Sequence, residues 1–501
     1  MPDEHLTSRG RPPAGHFSTL NRRSRNPALT DLTRLSAREL SRAIHHRRLS
    51  CTEVMAAYLD RIEALNPALN AIVSLRARAD VLAEARACDG EIAEGRSRGW
   101  LHGLPIAIKD LSEAKGLRCT WGSRLFEDYV ADHDDLHVER IRAAGAIVIG
   151  KTNTPEMGLG SHTVNPVFGA TRNPFDRTRS AGGSSGGAAA AVAARLLPLA
   201  DGSDMMGSLR NPAAFNNIVG FRPSFGRVPS GRNGELFLGQ LAATGPMARD
   251  VEDAALLLAT QAGYDRRDPL SLADEDLTLR GAAKTQGLKI AWLGDLGGHL
   301  PFEDGVLDVG LKALAVLADI GCEIDEVVPD FDMARLWSAW VTLRSFGVSN
   351  RMRGHYDDPQ KRALINRQCL WEIGNGLALS AGAVHEASTV RSDWYRTVCA
   401  LFARYDYLVL PSAQVFPFDV NLPWPEEIAG RRMDTYHRWM EVVIGPSMAG
   451  LPVAAMPAGF ARNGLPNGVQ IAGPPRADRA TLEFALAYER AAKIDTMSFS
   501  G

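Results

Sequence analysis

Several features that mark whole classes of function are missing from this chain. Its six cysteines, Cys51, Cys88, Cys119, Cys322, Cys369 and Cys399, form no C-x-x-C pair, so neither a zinc site nor a disulfide framework is indicated. A reducing cytoplasm is the expected compartment. No run approaches the ~18 consecutive apolar residues of a membrane span, and no membrane partner is expected. Neither sign of charge dominates: a formal net charge of −2 with 23% charged residues gives no basic stripe for nucleic acid and no acidic tail. A small neutral substrate fits that balance, and a homodimer is compatible with it. Residues 1–28 lack the apolar core of a secretion signal; rich in Arg, Pro, Ser and Gly, they read as a disordered leader, and Arg22-Arg23 makes no convincing twin-arginine export signal.

What is present centres on 180–210, SAGGSSGGAAAAVAARLLPLADGSDMMGSLR, two glycine-bracketed serine sites joined by an alanine-rich segment that reads as a helix over 188–195. Around Ser184 and Ser185 the flanking glycines let the backbone take unusual conformations and approach a ligand closely. Their hydroxyls fall near a helix N-terminus with its unpaired N–H groups. In the second site, Asp204-Met205-Met206-Gly207-Ser208 sets a serine after successive backbone N–H groups in a tight turn, the arrangement an oxyanion hole requires. By composition alone such a cluster is a flexible loop. A phosphate-cradling loop would need a lysine after its second glycine, and none follows Gly187. Gly182 to Gly186 also fits the G-x-S-x-G elbow, which would make Ser184 the nucleophile with a later Asp and His; His299, His355, His385 and His437 are available, but none stands in a context that marks it as a base.

A third piece, Gly103-Leu-Pro-Ile-Ala-Ile-Lys109-Asp110, decides among these readings. Together the three pieces resemble the amidase signature family, in which a G-x-P-x-x-x-K-D strand, a GGSSGG loop and a D-x-G-G-S-[IVL]-R loop carry a Ser-Ser-Lys triad. The ordered matches extend from about Leu32 through Gly150-Lys-Thr-Asn153 and Phe168-Gly-Ala-Thr-Arg-Asn-Pro-Phe175 to Gly459 and Gln470-Ile-Ala-Gly473. The resemblance implies that Lys109 is the base, Ser184 the bridging serine preceded by a cis peptide, and Ser208 the nucleophile. It further implies an oxyanion hole from the backbone of Met205, Met206, Gly207 and Ser208, and an acyl pocket bordered by the loop through Met157 and Gly158. Met206 departs from the family pattern, which has glycine there. A Cβ makes positive φ costly, so Met206 is expected at negative φ with its thioether directed either into the acyl pocket or back into the core; the pocket is favoured.

The rest of the chain alternates helical and strand-like segments. Ser36 with Glu39 forms a capping-box pattern, and an amphipathic helix is expected over 52–65. Strands are expected at 105–109, 146–150, 288–294, 322–328, 407–411, 452–458 and 468–473, with helices at 136–145, 306–320 and 478–493. With no internal repeat or low-complexity linker, 29–501 reads as one large α/β domain, for which the resemblance implies a central mixed, twisted sheet flanked by helices. The segment 330–440 departs from this grammar. It holds six of the nine tryptophans, Trp337, Trp340, Trp371, Trp394, Trp424 and Trp439, with Phe346, Phe416 and Phe418, either as ordinary core or as the lining of a pocket for an aromatic or aliphatic acyl group. His133 and His137 stand four apart, but Asp134 replaces the glutamate of H-E-x-x-H and His133 falls before the helix, so no metal is assigned.

The expected function is therefore hydrolysis of a carbon–nitrogen bond in a small aryl or hydrophobic acyl amide, with carbamates and esters as further substrates. No cofactor is required. Neutral Lys109 takes a proton from Ser184 while Ser184 takes one from Ser208, so Asp110 and Asp204 must be engaged elsewhere; a salt bridge from Asp204 to Arg210 would do this for one of them. The alternatives are the glutamine-hydrolysing subunit of a tRNA amidotransferase, against which the tryptophan-rich segment argues, and a catalytically dead binding protein, against which the complete triad argues.

Overall fold

The computed structural model describes residues 31–231, 234–493 and 496; the expected leader 1–28 lies outside them. The chain enters through two capped helices. Ser36 and Glu39 form the expected capping box at the start of Ala37–His45. The next helix, Cys51–Leu69, is longer than its apolar pattern suggests because Ser50 and Glu53 form a second box one residue before Cys51.

Among the described residues the strands form an eight-stranded mixed sheet, a three-stranded one and two short two-stranded ribbons. The larger runs Glu323–Glu326, Lys289–Trp292, Tyr407–Pro411, Pro466–Ala472, Val453–Phe460, Val219–Arg222, Ala243–Ala248, Leu199–Asp204. Lys289–Trp292 is parallel to both of its neighbours, and every later pairing is antiparallel. In the smaller sheet Ile147–Thr152 lies between Ile72–Val73, antiparallel, and Pro105–Lys109, parallel. The two sheets meet edge to edge where the Lys109 backbone N–H donates to Asp201 Oδ1 at 2.8 Å. This join brings the ends of strands Pro105–Lys109 and Leu199–Asp204 together.

Helix Gly186–Ala193 lies beneath that join, buried along its whole length. Its alanines leave no polar face, which suits a helix covered on every side, and their small size lets strands approach its backbone. It starts two residues before the expected 188 because the Ala189 N–H already bonds to the Ser185 carbonyl at 3.0 Å, while the free Gly187 N–H of the first turn is taken by the Asn153 carbonyl at 3.2 Å. Segment 330–440 opens as a layer of long helices, Met333–Tyr356, Arg367–Leu377 and Ala381–Phe402, and then returns to the large sheet as Tyr407–Pro411. Trp337, Trp340, Trp394 and Trp439 are buried there in an apolar cluster with Phe215, whereas Trp371 is 37% exposed. Among the described residues no helix is long and apolar enough to cross a membrane, and all six cysteines are unpaired.

Candidate active site

Strand Pro105–Lys109 ends in a lysine with no exposed surface. Lys109 Nζ lies 2.8 Å from Ser184 Oγ and 2.8 Å from Ser185 Oγ, and within 3.1 Å of Ser203 Oγ and 3.3 Å of the Ser203 carbonyl. Burial lowers its pKa to about 7, against the opposing pull of Asp201 and Asp204. Above that pH the amine is neutral, with two N–H donors and one lone pair, so one of the neighbouring hydroxyls can donate to it. Such a pair can move a proton off a serine. Ser184 Oγ meets no histidine; His299 pairs with Glu441 at 2.9 Å and His437 is buried 3.5 Å from Glu372, so the elbow with a histidine base is not what the geometry offers.

The peptide between Gly183 and Ser184 is cis. Its carbonyl accepts from the Ser161 hydroxyl, and the Thr163 hydroxyl donates to the Gly182 carbonyl at 2.8 Å. The sequence placed Ser185 in the first serine site without pairing it to Lys109, and it did not indicate Ser161, Ser203 or Asp201. Nothing local marks the last three, whose parts depend on which strand lies beside Lys109 and which loop lies beside the Gly183 carbonyl.

The second serine turn is built on Asp204. This buried carboxylate accepts from the Gly207 N–H at 2.8 Å, the Leu209 N–H at 3.1 Å, Arg210 Nε and Nη2 at 3.0 and 2.9 Å, and Arg222 Nη1 at 3.1 Å. The expected bridge to Arg210 is present, and Arg222 is a second cation that the sequence did not suggest. Both hold the Asp204 carboxyl well below the usual carboxylate range despite burial. Asp110 is likewise engaged, accepting from the Thr120 hydroxyl at 2.5 Å with Lys151 Nζ 4.0 Å away.

Gly207 takes φ +79°, and a Cβ there would stand 2.4 Å from Asn211 Oδ1, so neither the conformation nor the space admits a side chain. Its N–H is committed to Asp204. The expected four-residue oxyanion turn therefore keeps the N–H groups of Met205, Met206 and Ser208, which bond to no described residue. The Ser208 carbonyl accepts from the Ser185 N–H at 3.2 Å. Ser208 is 8% exposed and its hydroxyl bonds to no described residue, so the structure joins Lys109 to Ser184 without closing a hydrogen bond from Ser184 to Ser208.

Met206 avoids the left-handed region, as a residue with a Cβ should. Its side chain, however, is 2% exposed and packs in the apolar cluster of Phe215, Trp340 and Val443, which is the core orientation and not the favoured pocket one. Met205, half-buried, turns toward the helical layer, where Arg344 Nη1 stands 3.5 Å from its sulfur. Gly158, at φ +70°, lies against the site: a Cβ there would be 3.6 Å from Ser184 Oγ and 2.6 Å from Leu111 Cδ1.

A cavity of 400 Å³ opens beside this loop, walled by Trp424, Tyr436 and Trp439 with Glu156, Asn366 and Ser161. The side chains of Lys109, Ser184 and Ser208 do not line it. Ser161 connects it to them, through its hydrogen bond to the carbonyl just before Ser184. The Tyr436 hydroxyl donates to Glu372 Oε1 at 2.7 Å and accepts from Arg344 Nη2 at 2.9 Å, and Arg344 Nε meets the same Glu372 oxygen at 2.5 Å. His133 turns to Glu113 and Asp132, both at 2.6 Å, while His137 faces Asp201, so the two histidines do not converge on one point.

Comparison with known proteins agrees with this architecture. The family described as Amidase matches residues 53–482. An acylamidase of Rhodococcus erythropolis is 35% identical over 465 residues, 91% of this chain and 95% of that protein. A glutamyl-tRNA(Gln) amidotransferase subunit of Acidothermus cellulolyticus is 35% identical over 494 residues, 92% of this chain and 95% of that one. Among solved structures, a bacterial aryl acylamidase of the amidase signature enzymes superposes with a TM-score of 0.86 at 31% identity, covering 91% of this chain and 96% of its own. A buried lysine on two glycine-flanked serines, a neighbouring serine turn and likeness over nine-tenths of the length lead to one conclusion: the chain belongs to the amidase signature family of amide hydrolases.

Proposed function

We propose that this enzyme cleaves the carbon–nitrogen bond of small aryl or hydrophobic acyl amides through an acyl-enzyme on Ser208. Lys109 is the base and Ser184 the relay. Ser208 Oγ attacks the carbonyl carbon as its proton passes to Ser184 and the Ser184 proton passes to Lys109. The tetrahedral oxyanion is held by the N–H groups of Met205, Met206 and Ser208. Collapse breaks the C–N bond, the proton returns by the same route to the departing amine, and water then hydrolyses the ester to acid and free Ser208. Gly158 borders the reacting carbonyl, and the small, neutral substrate meets a single α/β domain (29–501) in a reducing cytoplasm. Carbamates and esters share the same tetrahedral step and are accepted where they fit.

The observation that carries this reading is Lys109 Nζ, buried 2.8 Å from Ser184 Oγ with its pKa brought to about 7. The aromatic wall of Trp424, Tyr436 and Trp439 supports the choice of acyl or aryl group. A second reading, a glutamine-hydrolysing amidotransferase component, draws on the equal identity to the Acidothermus protein. Against it, the buried cations next to the turn are already held, Arg344 by Glu372 and Tyr436 and Arg210 and Arg222 by Asp204. The test is turnover by the isolated chain of acetanilide-type anilides against L-glutamine, with peptide mapping of a fluorophosphonate adduct. Anilide turnover and an adduct on Ser208 are expected; glutamine turnover alone supports the second reading, and an adduct on Ser184 overturns the triad assignment.

A further inference from the structure

The amine of Lys109 is buried among serine hydroxyls, and three carboxylates, Asp110, Asp201 and Asp204, stand on the strand ends around it. Asp204 is neutralised by Arg210 and Arg222, and Asp110 is drawn to Thr120 and Lys151. Asp201 differs. It is fully buried, one oxygen accepts the Lys109 backbone N–H at 2.8 Å, and among the described residues no lysine or arginine side chain pairs with it. Its other oxygen, Oδ2, makes no hydrogen bond, and 3.4 Å away stands His137 Nε2, equally buried and equally without one. The two buried atoms stand 3.4 Å apart without a formed hydrogen bond, and neither has another partner among the described residues.

We propose that His137 is a positioning residue for amide hydrolysis, donating from Nε2 to Asp201 and so holding a carboxylate where it supports the protonated form of Lys109. The inference rests on Lys109 being the base. His137 occupies the first turn of Leu136–Ala143, and the charged groups around it point elsewhere: Asp134 pairs with Arg142, Glu139 with Arg267, and Arg140 donates to the carbonyls of Gln261 and Gly263. On the neighbouring helix Val251–Gln261, Asp253 accepts the N–H groups of Ala37 and Arg38. Asp201 is thus the one carboxylate shared by His137 and Lys109. Burial alone would drive the Lys109 pKa further down; Asp201 is the largest opposing influence and keeps it at about 7.

The test is the pH dependence of kcat/KM on an anilide for Asp201→Asn, His137→Leu and His137→Gln. Asp201→Asn removes the carboxylate charge, and its acid limb should move about one pH unit lower. His137→Leu removes the donor and should move the limb the same way, whereas His137→Gln keeps an N–H donor and should hold the limb where the native enzyme has it. A limb unmoved in Asp201→Asn and His137→Leu, with activity reduced by one factor at every pH, overturns the proposal in favour of plain packing. If Asp201→Asn does not fold, the difference between the two His137 variants decides. A native enzyme without any acid limb near pH 7 would instead remove Lys109 as the base, so the two failures are separate.

Discussion

The serine core and the aromatic helical layer solve different problems with different materials. In the core, glycine, alanine and serine bring backbones together, and contacts are fixed by what cannot fit, as at Gly207. In the layer, long helices carry large side chains whose roles are set by partners far away in sequence: Arg344 meets Glu372 and then Tyr436. The first arrangement fixes the contacts of Lys109 with Ser184 and Ser185 through backbone fit. The second shapes a cavity, and its parts can change without disturbing those contacts. Variants in the core should therefore remove turnover, and variants in the layer should redistribute it among substrates.

The largest effect belongs to the triad. Ser208→Ala removes the attacking atom, and kcat/KM should fall about 10⁴-fold or more, while Ser184→Ala and Lys109→Ala, which remove proton transfer, should each lose about 10²-fold or more. The losses should not add when the serines are combined, because the groups act as a unit. Steady-state kinetics on one anilide, with melting curves to show that each variant is folded, checks this. A Ser208→Ala enzyme with native turnover would erase the contrast between core and layer.

Next in size is the response to acid. Burial places the Lys109 pKa at about 7, so the competent neutral amine is present above that value and is titrated away below it. Activity should fall about tenfold for each pH unit below the limb and level off on the alkaline side. An optimum at about pH 5 would contradict a neutral lysine.

The core was legible because its requirements are local. Capping boxes, apolar strand ends and glycine brackets each state their condition within a few residues, and even Met206 avoiding the left-handed region follows from its Cβ. Asp201, Ser203 and Ser161 were not legible, because their parts depend on which edge strand and which loop come to lie beside Lys109 and the Gly183 carbonyl. The layer was legible only as a concentration of tryptophans. Nothing in the spacing of Arg344, Glu372 and Tyr436 states that they meet, or that one of the six rings, Trp371, would remain largely outside.

A smaller effect tests the layer itself. Tyr436→Phe keeps the ring in the cavity wall and removes the hydroxyl that bonds Glu372 and Arg344, leaving those two paired directly. The wall is loosened but the triad is untouched, so KM for bulky anilides should rise about fivefold while kcat changes little. Equal losses in kcat for every substrate would mean that the layer holds the reacting groups and not the cavity.

The smallest effect is expected at Met206, which lies in the serine turn by sequence and in the layer by packing. A flexible, unbranched side chain at 2% exposure among Phe215, Trp340 and Val443 fills core volume, so Met206→Leu conserves volume and should change stability by less than about 1.5 kcal/mol and kcat/KM by less than about threefold. Met206→Ala leaves a cavity and should lower stability by about 2–5 kcal/mol, yet the ratio of activities on small and bulky anilides should stay constant because no wall of the substrate cavity has moved. Met205 supplies the control. Half-buried, it packs on the outside of the same cluster with its sulfur 3.5 Å from Arg344 Nη1, so Met205→Ala should alter that ratio at little cost in stability. If Met206→Ala broadens the acyl range while the melting temperature holds, the thioether is a pocket wall after all, and the division between turn and layer must be redrawn one residue further along.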